Sequence, residues 1–284
     1  MESITSFKED TFKRYMVKGV LLLLALLFLF PILWLLFHSF MPPDEVMAVY
    51  GGGRSSGVRI LPSRFSLIPY YEIFLATPKY LYKFWKSLGI VLAILAGQMI
   101  LSCTAGAAFS HYKFRGHSFW FVLLILFTFL PVQAVLVPDY WLLSQLNLTD
   151  TDWALILPNI FSPLGVVLIT TIYNNVPREL LEAARLDGAK AVEILLYILV
   201  PCGKPGIASL FVISFADCWN MVEQPMVFLG NARDYPLSVF LAVMNEQNIS
   251  QQFACAVLCF IPITLLFLFF HNELSEGITS AITK

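Results

Sequence analysis

Six long apolar stretches restrict the fold of this chain more than any other feature. They cover residues 17–37, 87–109, 119–143, 153–173, 206–222 and 253–271, and the fifth is the weakest of them. A helix needs about 20 residues to cross a bilayer core of about 30 Å, and these stretches are of that order. Because spanning segments must satisfy their backbone hydrogen bonds internally, helices are expected rather than open sheet. The sequence therefore predicts an all-α polytopic membrane protein with six transmembrane helices.

The overall composition supports this class and excludes others. Of the 284 residues, 58% are hydrophobic and 13% are charged, and the mean hydropathy is +0.75. A net charge of −1 gives no general attraction to nucleic acid, so no nucleic-acid partner is expected. The five cysteines lack metal-ligand spacing and a disulfide framework, and no metal site is expected: Cys103, Cys202, Cys218, Cys255 and Cys259.

Two features of the amino-terminal third have simple interpretations. Basic residues precede the first apolar stretch, as they do in a signal peptide. That stretch is too long for a signal peptide and no A-x-A-like cleavage site follows it, so we expect it to remain as an anchor. The run "GGGRSSG" at 51–57 predicts a flexible surface loop.

The distribution of basic residues predicts the orientation in the membrane. With the amino terminus in the cytoplasm, 11 of the 18 Lys and Arg residues lie in cytoplasmic segments, as the positive-inside rule expects. Lys79, Lys83 and Lys86 oppose this bias, and with their aromatic neighbours they suggest an interfacial segment before the second span. We expect three regions: a cytoplasmic segment over 1–16, a transmembrane domain over 17–271 and a cytoplasmic tail over 272–284.

A polar octapeptide, "EAARLDGA" at 182–189, interrupts the apolar pattern. Four spans from a cytoplasmic start place residues 174–205 in the cytoplasm, and this location explains their polarity. Signals that begin and end a helix surround the octapeptide: Asn174 or Asn175 as a cap, Pro177 in the first turn and Gly188 as a left-handed stop. A second short helix is expected at about 191–199, so the segment predicts a helical hairpin.

The octapeptide and its neighbours carry a family resemblance. "EAARLDGA", followed by "ILVP" and "KP", resembles the EAA loop of ABC importer permeases, in which E-A-A-x-x-x-G precedes I-x-x-P at fixed spacing. "HYKFRG", "LPVQAVLVPDYWLL" and "SFADCWN" are similar to carbohydrate-type permeases, most closely the six-span maltodextrin-type subunit, over about 60–284. The chain departs from the family at Lys86, where asparagine is usual, at Met221, where glutamate is usual, and at Ala281, where glycine is usual.

The resemblance implies the partners and the role of the hairpin. Such a permease works with a second homologous permease subunit, two cytoplasmic ATPase subunits and an extracytoplasmic solute-binding protein. It lies in a bacterial or archaeal plasma (inner) membrane with both termini in the cytoplasm, and its substrate would be a sugar, an oligosaccharide in particular. The residues implied in ATPase coupling are Glu182, Ala183, Ala184, Arg185, Asp187, Gly188, Ile198 and Pro201.

ATP chemistry is expected in another subunit. A phosphate-binding loop needs a glycine five residues before Gly203 and a Ser or Thr after Lys204, but Ile198 and Pro205 stand there. We therefore expect no catalytic residue and no cofactor in this chain, with ATP and Mg²⁺ bound by the partner ATPase.

Polar side chains within the apolar stretches are candidates for the substrate pathway, since such groups are costly in a membrane. The candidates are Gln133, Asp139, Asp217, Trp219 and Asn220, with Gln98 and Trp141 as further possibilities. Structural alternatives remain open: Asp139 near the outer interface, Gln98 bonding across helices, and Trp219 with Asn220 as packing residues. The small residues of "SCTAGAA" at 102–108 predict close helix packing.

Three further hypotheses concern function and topology. The segment 223–252, rich in turn residues and amides, is expected to face outward and meet the binding protein. A permease for a non-sugar solute, or a six-span secondary transporter or channel, is an alternative. A membrane-embedded enzyme is disfavoured because no H-E-x-x-H or G-x-S-x-G motif is present and the four histidines are scattered.

Overall fold

The computed structural model describes residues 2–51, 59, 61–76, 79–231, 233–243 and 249–282. Within these ranges all regular structure is helical, and most of the predicted glycine-rich loop at 51–57 lies outside them. The helices are α1 (Glu2–Ser39), α2 (Pro43–Tyr50), α3 (Ile68–Tyr71), α4 (Lys79–His111), α5 (His117–Thr128), α6 (Val132–Gln145), α7 (Trp153–Ile160), α8 (Pro163–Tyr173), α9 (Arg178–Leu186), α10 (Ala191–Ile194), α11 (Val200–Cys202), α12 (Lys204–Trp219), α13 (Glu223–Phe228), α14 (Leu237–Ala242) and α15 (Ile249–Ile282). Two π-helical segments, Glu72–Ala76 and Leu195–Leu199, follow α3 and α10.

The predicted spans are all represented by apolar helices, but the third is bent, and the fifth passes as a span only when joined to residues 191–202 of the predicted hairpin. Four helices in the described part are long and apolar enough to cross a bilayer: Met16–Ser39, Lys79–His111, Trp153–Tyr173 and Ile249–Glu273. Two further pairs pass the same test only when joined: α5 with α6, bent by 104°, and the Ala191–Cys202 segment with α12, bent by 79°. The total is thus four, or six when each bent pair is one span.

The bend in the third predicted span has a local cause. Residues 119–143 were expected to form one helix, whereas α5 ends at Thr128 and α6 starts at Val132. Pro131, with an extended backbone (φ −67°, ψ 141°), occupies the N-cap of α6. Because proline has no N–H to donate and disfavours a helical conformation in the residue before it, the helix stops and restarts in a new direction.

The chain divides into two compact units. The first contains Met1–Pro78 and Met244–Cys259, and the second contains Lys79–Val243 and Phe260–Lys284. In the first unit His38 is fully buried beside Trp34, with ring centroids 4.2 Å apart, and beside Phe253, at 5.4 Å. The short helices α2 and α3 belong to this unit and were not predicted from the sequence.

Close backbone packing organises the second unit around α4. This helix packs most extensively on α8 and also on α7 and α12. A Cβ atom added at Gly106 of α4 would lie 2.7 Å from Ile169 of α8, and one added at Gly165 would lie 2.5 Å from the Ser102 hydroxyl. Such distances leave no room for a side chain. The prediction that residues 102–108 pack closely against another helix is therefore confirmed.

Candidate functional site

The predicted hairpin is present, and its turn is built on Gly188. Helix α9 ends at Leu186, and Gly188 adopts φ +89°, as expected for a left-handed stop. The Ala189 amide donates to the Ala184 carbonyl at 2.9 Å, and the Gly188 amide donates to the Arg185 carbonyl at 3.1 Å. These are the two hydrogen bonds of a Schellman motif. The chain then enters α10, whose start is capped by a Lys190 amide to Glu193 carboxylate bond of 2.6 Å.

Apolar side chains fix the hairpin to the helices of the second unit. Leu181 of α9 and Ile194 of α10 are 3% and 5% exposed and belong to one buried cluster with residues of α4, α8 and α12. Ala184 and Ile198 are partly buried against the same cluster. Both helices of the hairpin are thus held through their inner faces, so the hairpin would move together with those helices.

The outer face of the hairpin carries the remaining residues of the predicted coupling set. Glu182, Ala183, Arg185, Asp187, Gly188 and Pro201 are exposed. Arg185 lies over the ring of Tyr112, with 5.6 Å from its guanidinium carbon to the ring centroid. One exposed residue was missed by the sequence analysis: Leu186, at the end of α9, is 89% exposed although it is apolar. Helical spacing alone does not show that the α9 terminus leaves this side chain without a packing partner.

The predicted start of α9 is wrong by two or three residues. Asn174 and Asn175 were proposed as caps, but Asn174 is the C-cap of α8, and Pro177 occupies the N-cap of α9 rather than its first turn. Pro177 has φ −57° and ψ 132°, so it turns the chain without a side-chain cap bond. The asparagines end one helix instead of beginning the next.

Three of the five predicted pathway residues line two neighbouring cavities in the second unit. One cavity of about 640 Å³ is bounded by α4, α7, α8 and α12, and another of about 420 Å³ lies towards α6 and α13. Asp217 and Asn220 line both, and Gln133 lines the second. Asn159 also lines both and was not predicted. Its signal was weak because it follows Pro158 near the break between α7 and α8.

Amide and carboxyl groups connect these cavity walls. The Gln133 amide donates to both carboxylate oxygens of Glu223, at 2.8 Å each. The Asn159 amide donates to the Gln224 side-chain oxygen at 2.6 Å. The Gln98 amide donates to the Asn159 backbone carbonyl at 2.7 Å. Of the two roles considered for Gln98, the structure therefore shows the hydrogen bond between helices. Donors and acceptors of this kind match sugar hydroxyl groups.

The ionisable side chains that line these cavities are acidic. Asp217 and Glu223 are the only ionisable carboxyl side chains among the described residues that line them, and no Lys, Arg or His side chain is among those residues. A permanently anionic solute would meet repulsion at this surface, whereas a polyhydroxy solute would find hydrogen-bond acceptors.

The other two predicted pathway residues lie elsewhere. Trp219 is 3% exposed, and its ring stacks on Phe215 with centroids 5.4 Å apart and meets Phe84 edge-on at 5.5 Å. Its position fits the packing alternative and leaves no ring face open for a sugar. Asp139 is partly exposed on α6 and lines neither cavity, and Trp141, 65% exposed on the same helix, lines neither as well.

Two of the three basic residues that opposed the predicted orientation bind two loops. Lys86 forms ion pairs with Asp152 at 3.1 Å and with Asp234 at 3.3 Å. Lys83 donates to the backbone carbonyls of Arg233 and Tyr235 at 2.6 and 2.8 Å. The departure from the family at Lys86 thus has a structural counterpart, because the lysine links the start of α4 to the segments before α7 and α14.

Comparison with known proteins decides the family. Residues 12–279 match the family described as "Binding-protein-dependent transport system inner membrane component". The chain belongs to this family. The resemblance inferred from the "EAARLDGA" pattern is confirmed, as is the all-α multi-pass membrane architecture. The family description is that of a transport component, which is consistent with the expected non-enzymatic role, and it supports a binding protein as a partner.

Two relatives and one solved structure illustrate the family. The chain is 29% identical over 261 residues to the arabinooligosaccharides transport system permease protein AraQ of Halalkalibacterium halodurans, covering 90% of this chain and 91% of that protein. It is 28% identical over 199 residues to the sn-glycerol-3-phosphate transport system permease protein UgpE of Brucella abortus, covering 68% and 71%.

The solved structure shows the likeness of fold. A chain in the crystal structure of a bacterial ABC transporter involved in the import of the acidic polysaccharide alginate superposes with a TM-score of 0.79. The match covers 91% of this chain and 95% of that chain at 19% sequence identity. The similarity therefore extends to nearly the whole chain.

Proposed function

We propose that this chain is one permease subunit of a binding-protein-dependent ABC importer for a neutral oligosaccharide. It would form half of the translocation pathway, beside a second homologous permease subunit, in a bacterial or archaeal plasma (inner) membrane. Two cytoplasmic ATPase subunits would bind ATP and Mg²⁺, and this chain would hold no cofactor of its own. The observation that carries the proposal is the full-length family match together with the exposed hairpin at 174–205.

The hairpin suits contact with the ATPase. Its inner face is anchored by Leu181 and Ile194, while Glu182 and Ala183 face outward. The small Ala183 side chain permits close approach of a partner, and the carboxylate of Glu182 can accept charge-assisted hydrogen bonds at the rim. Because the inner face is packed on α4, α8 and α12, closure of an ATPase dimer on the outer face would shift these helices as a body.

The orientation follows from the same assignment. If the hairpin contacts a cytoplasmic ATPase, then both termini lie in the cytoplasm and the segments around Asp152 and Asp234 lie outside. The Lys86 ion pairs would then hold the outer loops in one arrangement. The proposed docking of the binding protein on residues 223–252 rests on this topology. The domain boundaries at 16 and 17 and at 271 and 272 are part of the same proposal.

The substrate class is argued from the cavities. The AraQ relative is named for arabinooligosaccharides, whereas the UgpE relative is named for a phosphorylated solute and the structural neighbour for an acidic polysaccharide. Asp217 and Glu223, with no basic side chain beside them in the described lining, favour the neutral class. A non-sugar phosphorylated solute is the second candidate, and the carboxylates count against it.

Transport by the reconstituted system tests the proposal. The four-subunit transporter is placed in proteoliposomes with its binding protein, which is screened against neutral oligosaccharides, acidic oligosaccharides, amino acids and glycerol 3-phosphate. We expect a neutral oligosaccharide to bind and to stimulate ATP hydrolysis. An amino-acid or phosphorylated ligand that alone stimulated hydrolysis would overturn the substrate assignment while leaving the family assignment intact.

A further inference from the structure

A third cavity lies apart from the polar cavities, where the α4–α5 connection meets the start of α9. Its volume is about 630 Å³, within the range of small-molecule sites. The lining includes the carboxyl-terminal end of α4, the first turn of α5, the end of α8 and the first residue of α9. The side chains that bear on ligand binding are His111, Lys113, His117, Ser118, Asn174 and Arg178.

The lining is cationic and rich in hydrogen-bond donors. Lys113 and Arg178 are exposed, and neither forms an ion pair or a hydrogen bond within the described part of the chain. Asn174 and Ser118 add an amide and a hydroxyl group. The described lining contains no carboxylate. This charge is opposite to that of the Asp217 and Glu223 cavities, so the two sites attract different chemical groups.

A buried polar atom without a partner also belongs to this cavity. The Nε2 atom of His111 is buried and has no hydrogen-bond partner among the described residues. His117, by contrast, bonds the Phe109 carbonyl through its Nε2 atom at 2.7 Å. Buried nitrogen atoms are rarely left unsatisfied, because the desolvation cost is not offset. A phosphate oxygen atom in the cavity would supply the missing partner when the Nε2 atom of His111 carries a proton and donates it.

We propose that this cavity binds a phosphate group, carried by an anionic lipid headgroup or by a soluble phosphate ester. Arg and Lys side chains together with neutral donors are the usual partners of phosphate oxygen atoms. Arg178 is the first residue of α9, where the positive end of the helix dipole adds to the attraction. The position at the end of the apolar helix α4 suits a headgroup, and the volume also admits a free ester.

Occupancy would tie the hairpin to the α4–α5 connection. Arg185 of α9 already lies over the Tyr112 ring of that connection. A phosphate held between Lys113 and Arg178 would add a second link between the same two elements and steady the start of α9. The regulatory consequence rests on the proposed function: a steadied hairpin should alter ATP hydrolysis stimulated by loaded binding protein. The binding itself does not depend on that function.

Direct binding to the complete transporter provides the test. In one arm, native mass spectrometry counts phosphatidylglycerol retained by the purified transporter. In the other, glycerol 3-phosphate is titrated into transporter in phosphatidylcholine nanodiscs and its binding is followed by ³¹P NMR. The double variant Lys113→Gln/Arg178→Gln removes both cations. Arg178→Lys keeps the positive charge at that position but loses the planar guanidinium group. Lys204→Gln removes an exposed cation outside the cavity.

We expect binding in at least one arm, weakened about tenfold or more in the double variant, less in Arg178→Lys and unchanged in Lys204→Gln. Retention of phosphatidylglycerol alone would identify the lipid, and saturable binding of glycerol 3-phosphate would identify the soluble ester. Subunit abundance and elution volume control for folding. Ser118→Trp, which fills the cavity and leaves its charge intact, should also lower binding. Absence of binding in both arms, or equal loss in Lys204→Gln, would overturn the proposal.

Discussion

Gln133 and Glu223 lie 90 positions apart in the sequence, yet the side-chain amide of Gln133 donates to both carboxylate oxygen atoms of Glu223 at 2.8 Å. The bond joins α6 to α13 in the wall of a cavity that Asp217 and Asn220 also line. It holds a carboxylate in a fixed place beside the proposed pathway. We expect this placement to favour neutral over anionic solutes.

Replacing Glu223 with glutamine tests that selection. The variant keeps the size of the side chain but removes the charge, so each hydrogen bond that it accepts weakens from about 1.5–3 kcal/mol to about 0.5–1.5 kcal/mol. We expect the efficiency of neutral oligosaccharide uptake to fall about tenfold. Uptake of an acidic oligosaccharide, relative to the neutral one, should rise. Initial rates of uptake into proteoliposomes measure both quantities.

Asp44→Asn is the matched control for this charge change. Asp44 is exposed, forms an ion pair with Arg64 at 2.7 Å and lines neither polar cavity. Its replacement should leave both uptake rates unchanged. If Glu223→Gln and Asp44→Asn had the same effect on the ratio of acidic to neutral uptake, the carboxylate would have no part in selection.

The positive φ of Gly188 predicts a difference between two substitutions at one position. A Cβ atom added there meets no heavy atom within 4 Å, so only the backbone conformation opposes a side chain. Valine should cost about 1–2 kcal/mol locally, whereas asparagine tolerates the left-handed region. We expect Gly188→Val to insert normally but to lose most of the ATP hydrolysis stimulated by loaded binding protein. Gly188→Asn should retain most of it, and equal activity in the two variants would rule out a turn-dependent lever.

Leu186 and Leu181 form a matched pair on α9. Leu186 is 89% exposed and Leu181 is 3% exposed. Leu186→Ser should therefore leave subunit abundance near wild type and lower stimulated hydrolysis about tenfold, because burying a leucine at an interface contributes about 1.5–3 kcal/mol. Leu181→Ser should lower abundance instead, since a large-to-small change in a buried cluster costs about 2–5 kcal/mol. Glu182→Lys should act like Leu186→Ser. Normal coupling in both outer-face variants would show that this face has no partner.

The position of Gly206 on α12 predicts that a second substitution on α8 can restore part of the stability lost by Gly206→Ala. A Cβ atom added at Gly206 would overlap the Cδ1 atom of Ile172 on α8. Gly206→Ala should therefore destabilise the purified protein by about 1–3 kcal/mol through overpacking. Adding Ile172→Ala should recover part of that loss because it removes the clashing atoms. Thermal inactivation in detergent measures the effect. A Gly206→Ala protein as stable as wild type would show that the Ile172 side chain makes room for the added methyl group without cost.

Hydropathy predicted where helices lie but not where they break. The spans that correspond to α1, α4 and α15 were located because their apolar runs are long and uninterrupted. The 104° bend before α6 was missed because Pro131 disturbs a pattern that hydropathy averages over many residues. The local turn at Gly188 was predicted because a single glycine after a polar helix has one simple interpretation. The sequence motif and the local turn chemistry therefore predicted the hairpin more accurately than hydropathy predicted the transmembrane helices.

The polar cavities depend on tertiary contacts that no local pattern contains. Asp217 and Asn220 were predicted as intramembrane polar residues, and Gln133 likewise. Glu223 and Asn159 were not, because the first follows the predicted fifth span and the second follows a proline. Trp219 was predicted as a possible stacking surface, but the sequence could not show that Phe84, 135 positions earlier, covers its edge.

Uptake with and without the ATPase subunits tests the central claim most directly. Proteoliposomes that contain this chain, its permease partner, both ATPase subunits and loaded binding protein should accumulate a neutral oligosaccharide when ATP is supplied on the hairpin side. Vesicles that contain the same proteins without the ATPase subunits should accumulate none, and Gly188→Val in the complete system should lose most of both the uptake and the hydrolysis stimulated by loaded binding protein. Concentrative uptake without the ATPase subunits would contradict the account.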